Sequence, residues 1–103
     1  MELAAVKKLS TALSAHFGDG DDPYQALASL TEELGEVAAE INKLQGTGAK
    51  ATLEKSGSRA ALEEELGDVV LSTFYLANAL DVDLEAEISA KYARLKKQFN
   101  LDI

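Results

Sequence analysis

A chain of 103 residues with a formal charge of −8, no cysteine and a single histidine is long enough for one domain with a modest core. These numbers exclude disulfides and thiolate metal sites, leave only His16 for a nucleophilic triad, and argue against a nucleic-acid surface, which needs a basic stripe. They leave small anionic ligands open, because a bound divalent cation inverts the local field.

One proline and abundant Ala, Leu, Glu and Lys favour an all-α fold, and three phenylalanines make any core largely aliphatic. No apolar run approaches the roughly 20 residues that cross a bilayer, and the N-terminus is amphipathic and charged rather than signal-like. Absence of cysteine fits a reducing, cytoplasmic setting.

Apolar spacing predicts four helices. The first spans Glu2 to Phe17 and carries Leu3, Val6, Leu9, Leu13 and Phe17 at helical intervals; GDGDD breaks it. Asp22-Pro23 restarts the chain as N-cap and first helical residue, with Gln25 three positions after the cap. The second helix bears Leu27, Leu30, Leu34, Val37, Ile41 and Leu44, and Gly46 ends it. GTGAKATLEKSG is the one substantial linker, with room for a short helical turn. Ser58 caps a third helix carrying Leu62, Leu66, Val69, Val70, Leu76 and Leu80, and Asp83 caps a fourth with Leu84, Ile88, Tyr92, Leu95 and Phe99. Short connections imply antiparallel neighbours in a four-helix-type bundle, one domain over residues 1–103.

Two near-identical phrases stand out: EELGEV at Glu32–Val37 and EELGDV at Glu64–Val69. Their flanks diverge, so they are not units of a solenoid. In each, two carboxylates fall three residues apart, Glu33 with Glu36 and Glu65 with Asp68, and so lie side by side on one helix face. Both pairs border the apolar stripe, at the edge of the expected contact between helices two and three. Four such oxygen donors suit a hard cation such as Mg²⁺, which keeps waters and substrate phosphates in its shell. Each phrase also places a glycine in mid-helix at a cost of roughly 1 kcal/mol; Gly35 and Gly67 would let the two helices approach closely enough to share one metal cluster. A single E-x-x-E pair is commonplace solvated surface; it is the matched pair that points to a site.

Other metal chemistries fit poorly. A ferritin-like di-iron site needs E-x-x-H motifs, and His16 is in none. GDGDDPYQALASL breaks the calcium-loop pattern with proline and leucine at ligand positions, so Asp19, Asp21 and Asp22 read as turn and cap residues. No phosphate-loop signature occurs.

LTEELGEVAAEI followed by LEEELGDVVLSTFYLANAL resembles the all-α nucleoside triphosphate pyrophosphohydrolases, in particular the small MazG-like proteins. Their E-x-x-E, spacer, E-x-x-D signature falls on Glu33, Glu36, Glu65 and Asp68, and the likeness runs from about Tyr24 to Phe99. The resemblance implies hydrolysis of a (deoxy)nucleoside triphosphate to monophosphate and pyrophosphate, in nucleotide-pool house-cleaning. It implies Mg²⁺, with Mn²⁺ as the alternative ion, held by those four carboxylates. It also implies a dimer or dimer of dimers whose sites draw on more than one protomer. In KYARLKKQF, Lys91 matches a substrate-contacting run of relatives, whereas Leu95 and Gln98 replace its asparagine and arginine. Ser72 stands where one branch has an aromatic residue. A related reading is phosphoribosyl-ATP pyrophosphohydrolase; a reading from another class is a non-catalytic helical dimerisation module.

Secondary candidates follow. Lys91 and Arg94 could meet phosphate oxygens, and as cations late in a helix they also complement its dipole. Asn78 is a candidate hydrogen-bonder to substrate, the alternative being a polar residue that faces a dimer seam. Lys50, Lys55 and Arg59 read better as solubilising charge than as a lid on a triphosphate. His16, Phe17 and Tyr24 could form a base-stacking wall, but core packing is the expectation for Phe17 and surface for His16. Glu32, Glu40, Glu63 and Glu64 read as outer ligand support or surface.

Overall fold

The computed structural model describes residues 1–46 and 58–103, so the expected linker turn, with Lys50 and Lys55, lies outside the described residues. Among the described residues there are four helices and no strand: α1 (Leu3–Phe17), α2 (Pro23–Gln45), α3 (Arg59–Ala79) and α4 (Leu84–Gln98). The starts of α2, α3 and α4 are fixed by the three side chains that the sequence nominates. Asp22 accepts from the Tyr24 N–H at 2.9 Å, Ser58 from Ala61 at 3.2 Å and Asp83 from Ala86 at 3.1 Å. Each such cap stabilises its helix by about 1 kcal/mol.

The α2–α3 pair is the main packing unit; α1 lies against α3, and α4 makes its principal contact with α1. Phe74 and Ala77 of α3 and Ala26 of α2 form the buried apolar centre. Two polar ties fix the neighbours. Asn78 Nδ2 donates to the Oγ of fully buried Ser10 at 2.7 Å, while that hydroxyl donates to the Lys7 carbonyl at 2.8 Å, which joins α3 to α1. Glu40 of α2 accepts the backbone N–H of Ser58 at 3.1 Å and pairs with Lys43 at 2.9 Å. Glu40, expected as outer ligand support or surface, thus holds the start of α3 against α2.

The apolar stripes of the sequence are only partly covered within one protomer. No residue of α4 is buried, and Ile88, Tyr92, Leu95 and Phe99 are exposed along one face, as are Leu27, Leu34 and Ile41 of α2 and Leu66 and Val70 of α3. The radius of gyration is 16.6 Å, against about 13 Å for a closed domain of this size. Among the described residues the all-α expectation is therefore met in helix number and class, while α4 stands largely apart from the α2–α3 pair.

Glycine roles differ from expectation. A Cβ on Gly35 or Gly67 would meet nothing within 4 Å, so neither residue is needed for close approach of α2 to α3; both face open space. The glycine under steric constraint is Gly20, with φ of 101° and a backbone that runs so close to α1 that a Cβ would collide with the Ser14 side chain. Gly20→Ala should lower unfolding stability by about 1–3 kcal/mol through strain and collision. Gly35→Ala should instead hold or raise it, by up to about 1 kcal/mol from helix propensity. Urea or thermal unfolding of the two variants checks the contrast.

Candidate metal centre

Glu33 and Glu36 occupy successive turns of α2, and Glu65 and Asp68 successive turns of α3. The α2–α3 contact brings Glu33, Glu36 and Glu65 together, with one carboxylate oxygen from each lying within 4.8 Å of the others. Asp68 falls outside this trio, but its charge reaches Glu33 and helps to raise that carboxyl's pKa. Glu33, Glu65 and Asp68 are half-buried and Glu36 is exposed.

One oxygen of Glu33 and one of Glu65, Oε2 in each case, are buried without a hydrogen-bond partner. Buried acceptors left unpaired are costly, and like charges this close compound that cost. An all-oxygen donor set with two orphaned atoms fits a hard divalent cation, Mg²⁺ or Mn²⁺, better than a soft one.

The crowding moves protons. Glu65 is pushed up to about 7, first by sharing a proton with the adjacent Glu36 carboxylate, then by partial burial and the negative charges of Glu36 and Glu33. Glu33 is raised by partial burial and by the charge of Glu36. Both shifts favour the protonated form in the metal-free protein, and the shift at Glu65 brings its titration to neutrality.

Beside the trio lies a cleft of about 260 Å³, into which Glu33 also faces. Its other lining residues include Phe17, Asp19, Gln25, Ser29, Ser72 and Tyr75. Burial and the charge of Asp19 raise the pKa of the Tyr75 hydroxyl. Phe17, expected in the core, is 69% exposed at the cleft and meets His16 edge-on at 4.9 Å, because α1 ends before any helix can cover its ring. Sequence reasoning passed over Ser29 and Tyr75, and took Asp19 and Gln25 only as turn and cap residues. A signal was present in the spacing: Ser29 precedes Glu33 by four, and Ser72 follows Asp68 by four, one turn along the same helix faces.

A second cleft, of about 740 Å³, opens between the end of α1 and the α3–α4 corner, lined among others by Lys7, Thr11, Asp19, Asp21, Asn78 and Asp81. Asn78 thus sits in this neighbouring cleft, its amide bonded to Ser10 and, at 3.4 Å, to Thr11. Lys91 and Arg94 are exposed on α4 and line neither cleft; Tyr24 is exposed outside both.

Comparison with known proteins bears on the family. The family model of the MazG nucleotide pyrophosphohydrolase domain matches residues 22–99. The uncharacterized protein YpjD of Bacillus subtilis (strain 168) is 46% identical over 63 residues, covering 61% of this chain and 54% of the relative. The chain therefore spans about half the length of that curated relative.

The Glu65 shift gives a stability prediction with a definite sign. A carboxyl whose folded pKa, about 7, exceeds its usual 4.5 adds stability in full below 4.5 and loses it as pH rises through 7. In metal-free protein, Glu65→Gln should thus melt above wild type at pH 8, and the gap should close towards pH 5. Melting curves across that range, with chelator present, check it.

Proposed function

The chain belongs to the MazG nucleotide pyrophosphohydrolase family, and on that premise we propose that it hydrolyses (deoxy)nucleoside triphosphates to the monophosphate and pyrophosphate in an Mg²⁺-dependent reaction. The observation that carries the reading is the pair of buried, unpartnered oxygens on Glu33 and Glu65 at the centre of the carboxylate trio. Glu33, Glu36, Glu65 and Asp68 are the proposed ligands, with Asp68 joining from the next turn of α3. When bound, the ion would neutralise phosphate charge and lower the pKa of a bound water.

The chain's own residues then do the following. The four carboxylates bind the ion and must be deprotonated to do so, which displaces the proton that Glu65 holds near neutrality. Glu33, shared between the trio and the smaller cleft, orients a substrate whose phosphates lie at the carboxylates. Lys91, Arg94 and Asn78 are retained as proposed substrate contacts, the first two from α4. Since α4 stands apart from the trio in its own protomer, such contacts fit a site completed by a second copy. The exposed apolar faces of α2, α3 and α4 support a homodimer or dimer of dimers.

Pyrophosphate release from a panel of nucleoside and deoxynucleoside triphosphates tests the proposal. Activity should need Mg²⁺ or Mn²⁺ and vanish with chelator. Glu36→Gln or Asp68→Asn should lower kcat by at least about 100-fold, in line with the several kcal/mol a catalytic ion supplies, while the helical circular-dichroism signal persists. Full turnover in either variant would remove that residue from the ligand set.

A further inference from the structure

The geometry points to the 260 Å³ cleft as the base-reading end of the site, with the Asp19 carboxylate selecting bases that carry an exocyclic amino group. This rests on the proposed triphosphate hydrolysis for its substrate, and on the cleft alone for its selectivity.

Four observations carry it. Glu33 belongs both to the carboxylate trio and to the cleft wall, so a molecule whose phosphates lie at the trio reaches the cleft with its other end. Among the described residues, no lysine, arginine or histidine lines the cleft, whereas Asp19, Asp22 and Glu33 do; these carboxylates repel a phosphate and not an uncharged group. The volume lies just under the roughly 300 Å³ at which pockets begin to take whole drug-sized ligands, which suits a base rather than an entire nucleotide. The Phe17 ring, 69% exposed at the cleft, offers a face for stacking.

The choice of base follows from donor and acceptor capacity. Gln25, Ser29, Ser72 and Tyr75 each both donate and accept, so they accommodate either kind of base edge. A carboxylate only accepts. Asp22 already has one oxygen committed to the Tyr24 N–H as the α2 cap. Asp19 is held differently: its backbone N–H donates to the Ser14 carbonyl at 3.1 Å, and Gly20 packs the turn onto α1, which puts Asp19 in the wall of this cleft and of its larger neighbour, with its charge reaching the Tyr75 hydroxyl. An amino group gives Asp19 a donor; the carbonyl of the matched base gives it a repelling acceptor.

The test is kcat/KM for pyrophosphate release from two matched pairs, dCTP against dUTP and dATP against dITP, with Mg²⁺. A hydrogen bond to a charged group corresponds to roughly a tenfold to hundredfold preference, so the amino member of at least one pair should win by that margin. Asp19→Asn, whose side chain can donate as well as accept, should bring the ratio close to one. Calorimetric binding of dCMP against dUMP to wild type and Asp19→Asn supplies a readout independent of turnover. Equal values within both pairs, or a ratio unchanged by Asp19→Asn, would overturn the assignment of Asp19 while catalysis stands. If nothing turns over yet dCMP binds more tightly than dUMP and Asp19→Asn abolishes the difference, the cleft assignment stands and the hydrolytic reading fails. Equal binding without turnover overturns both.

Discussion

Like charges repel, so carboxylate oxygens of Glu33, Glu36 and Glu65 can be kept within 4.8 Å of one another only if both helix backbones are held by something else. The structure shows what holds them. α2 and α3 each begin on a side-chain cap, at Asp22 and Ser58. Glu40 grips the Ser58 N–H and so fixes the start of α3 against α2. Further along, Phe74, Ala77 and Ala26 supply the buried contact, and Asn78 fastens α3 to Ser10 of α1. The carboxylates lie between these anchor points. Their cost is carried by packing and capping elsewhere, which is the usual relation between a preorganised site and its scaffold.

The same scaffold accounts for the adjacency of carboxylate trio and cleft. On α3, Glu65, Asp68, Ser72 and Tyr75 recur at intervals of three and four, and on α2 Gln25, Ser29 and Glu33 recur at intervals of four. Each helix thus presents one polar stripe, carboxylate-rich at one end and hydroxyl- and amide-rich at the other. Where the stripes meet, the carboxylates gather; farther along, the turn through Asp19 and Gly20 closes the cleft. One interface produces two chemically different compartments, and Glu33 belongs to both.

Much of this was legible before any coordinates. Caps at Asp22, Ser58 and Asp83 and stops at Gly18 and Gly46 fixed the helices because their chemistry is local. The carboxylate quartet was legible because three-residue spacing alone places two side chains on one face; the trio at the α2–α3 contact follows from that placement. What periodicity could not say is what an apolar stripe faces. Ile88, Tyr92 and Leu95 read as core and are exposed, and Phe17 read as packing and lines a cleft. Gly35 and Gly67 misled for a related reason: a missing side chain marks clearance, and the sequence does not show on which side the clearance lies. Ser29 was silent because an isolated serine on a helix has no signature; only its register with a motif residue gives it meaning.

The orphaned oxygens also bear on how stability and ligand are coupled. In the metal-free protein, the hydrogen bond with Glu36, partial burial and like charge push Glu65 up to about 7, and partial burial and the charge of Glu36 raise Glu33; a proton on Glu65 relieves part of the charge that would otherwise push α2 from α3. A cation removes the same repulsion by a different route, and it can also satisfy both unpartnered Oε2 atoms, which one shared proton cannot do. Proton and metal would therefore compete for one set of atoms, and whatever binds the folded form alone shifts the folding equilibrium towards it. The helix pair joined by Glu40 and Ser58 is then both the scaffold that builds the centre and the element that a bound ion would stabilise most directly.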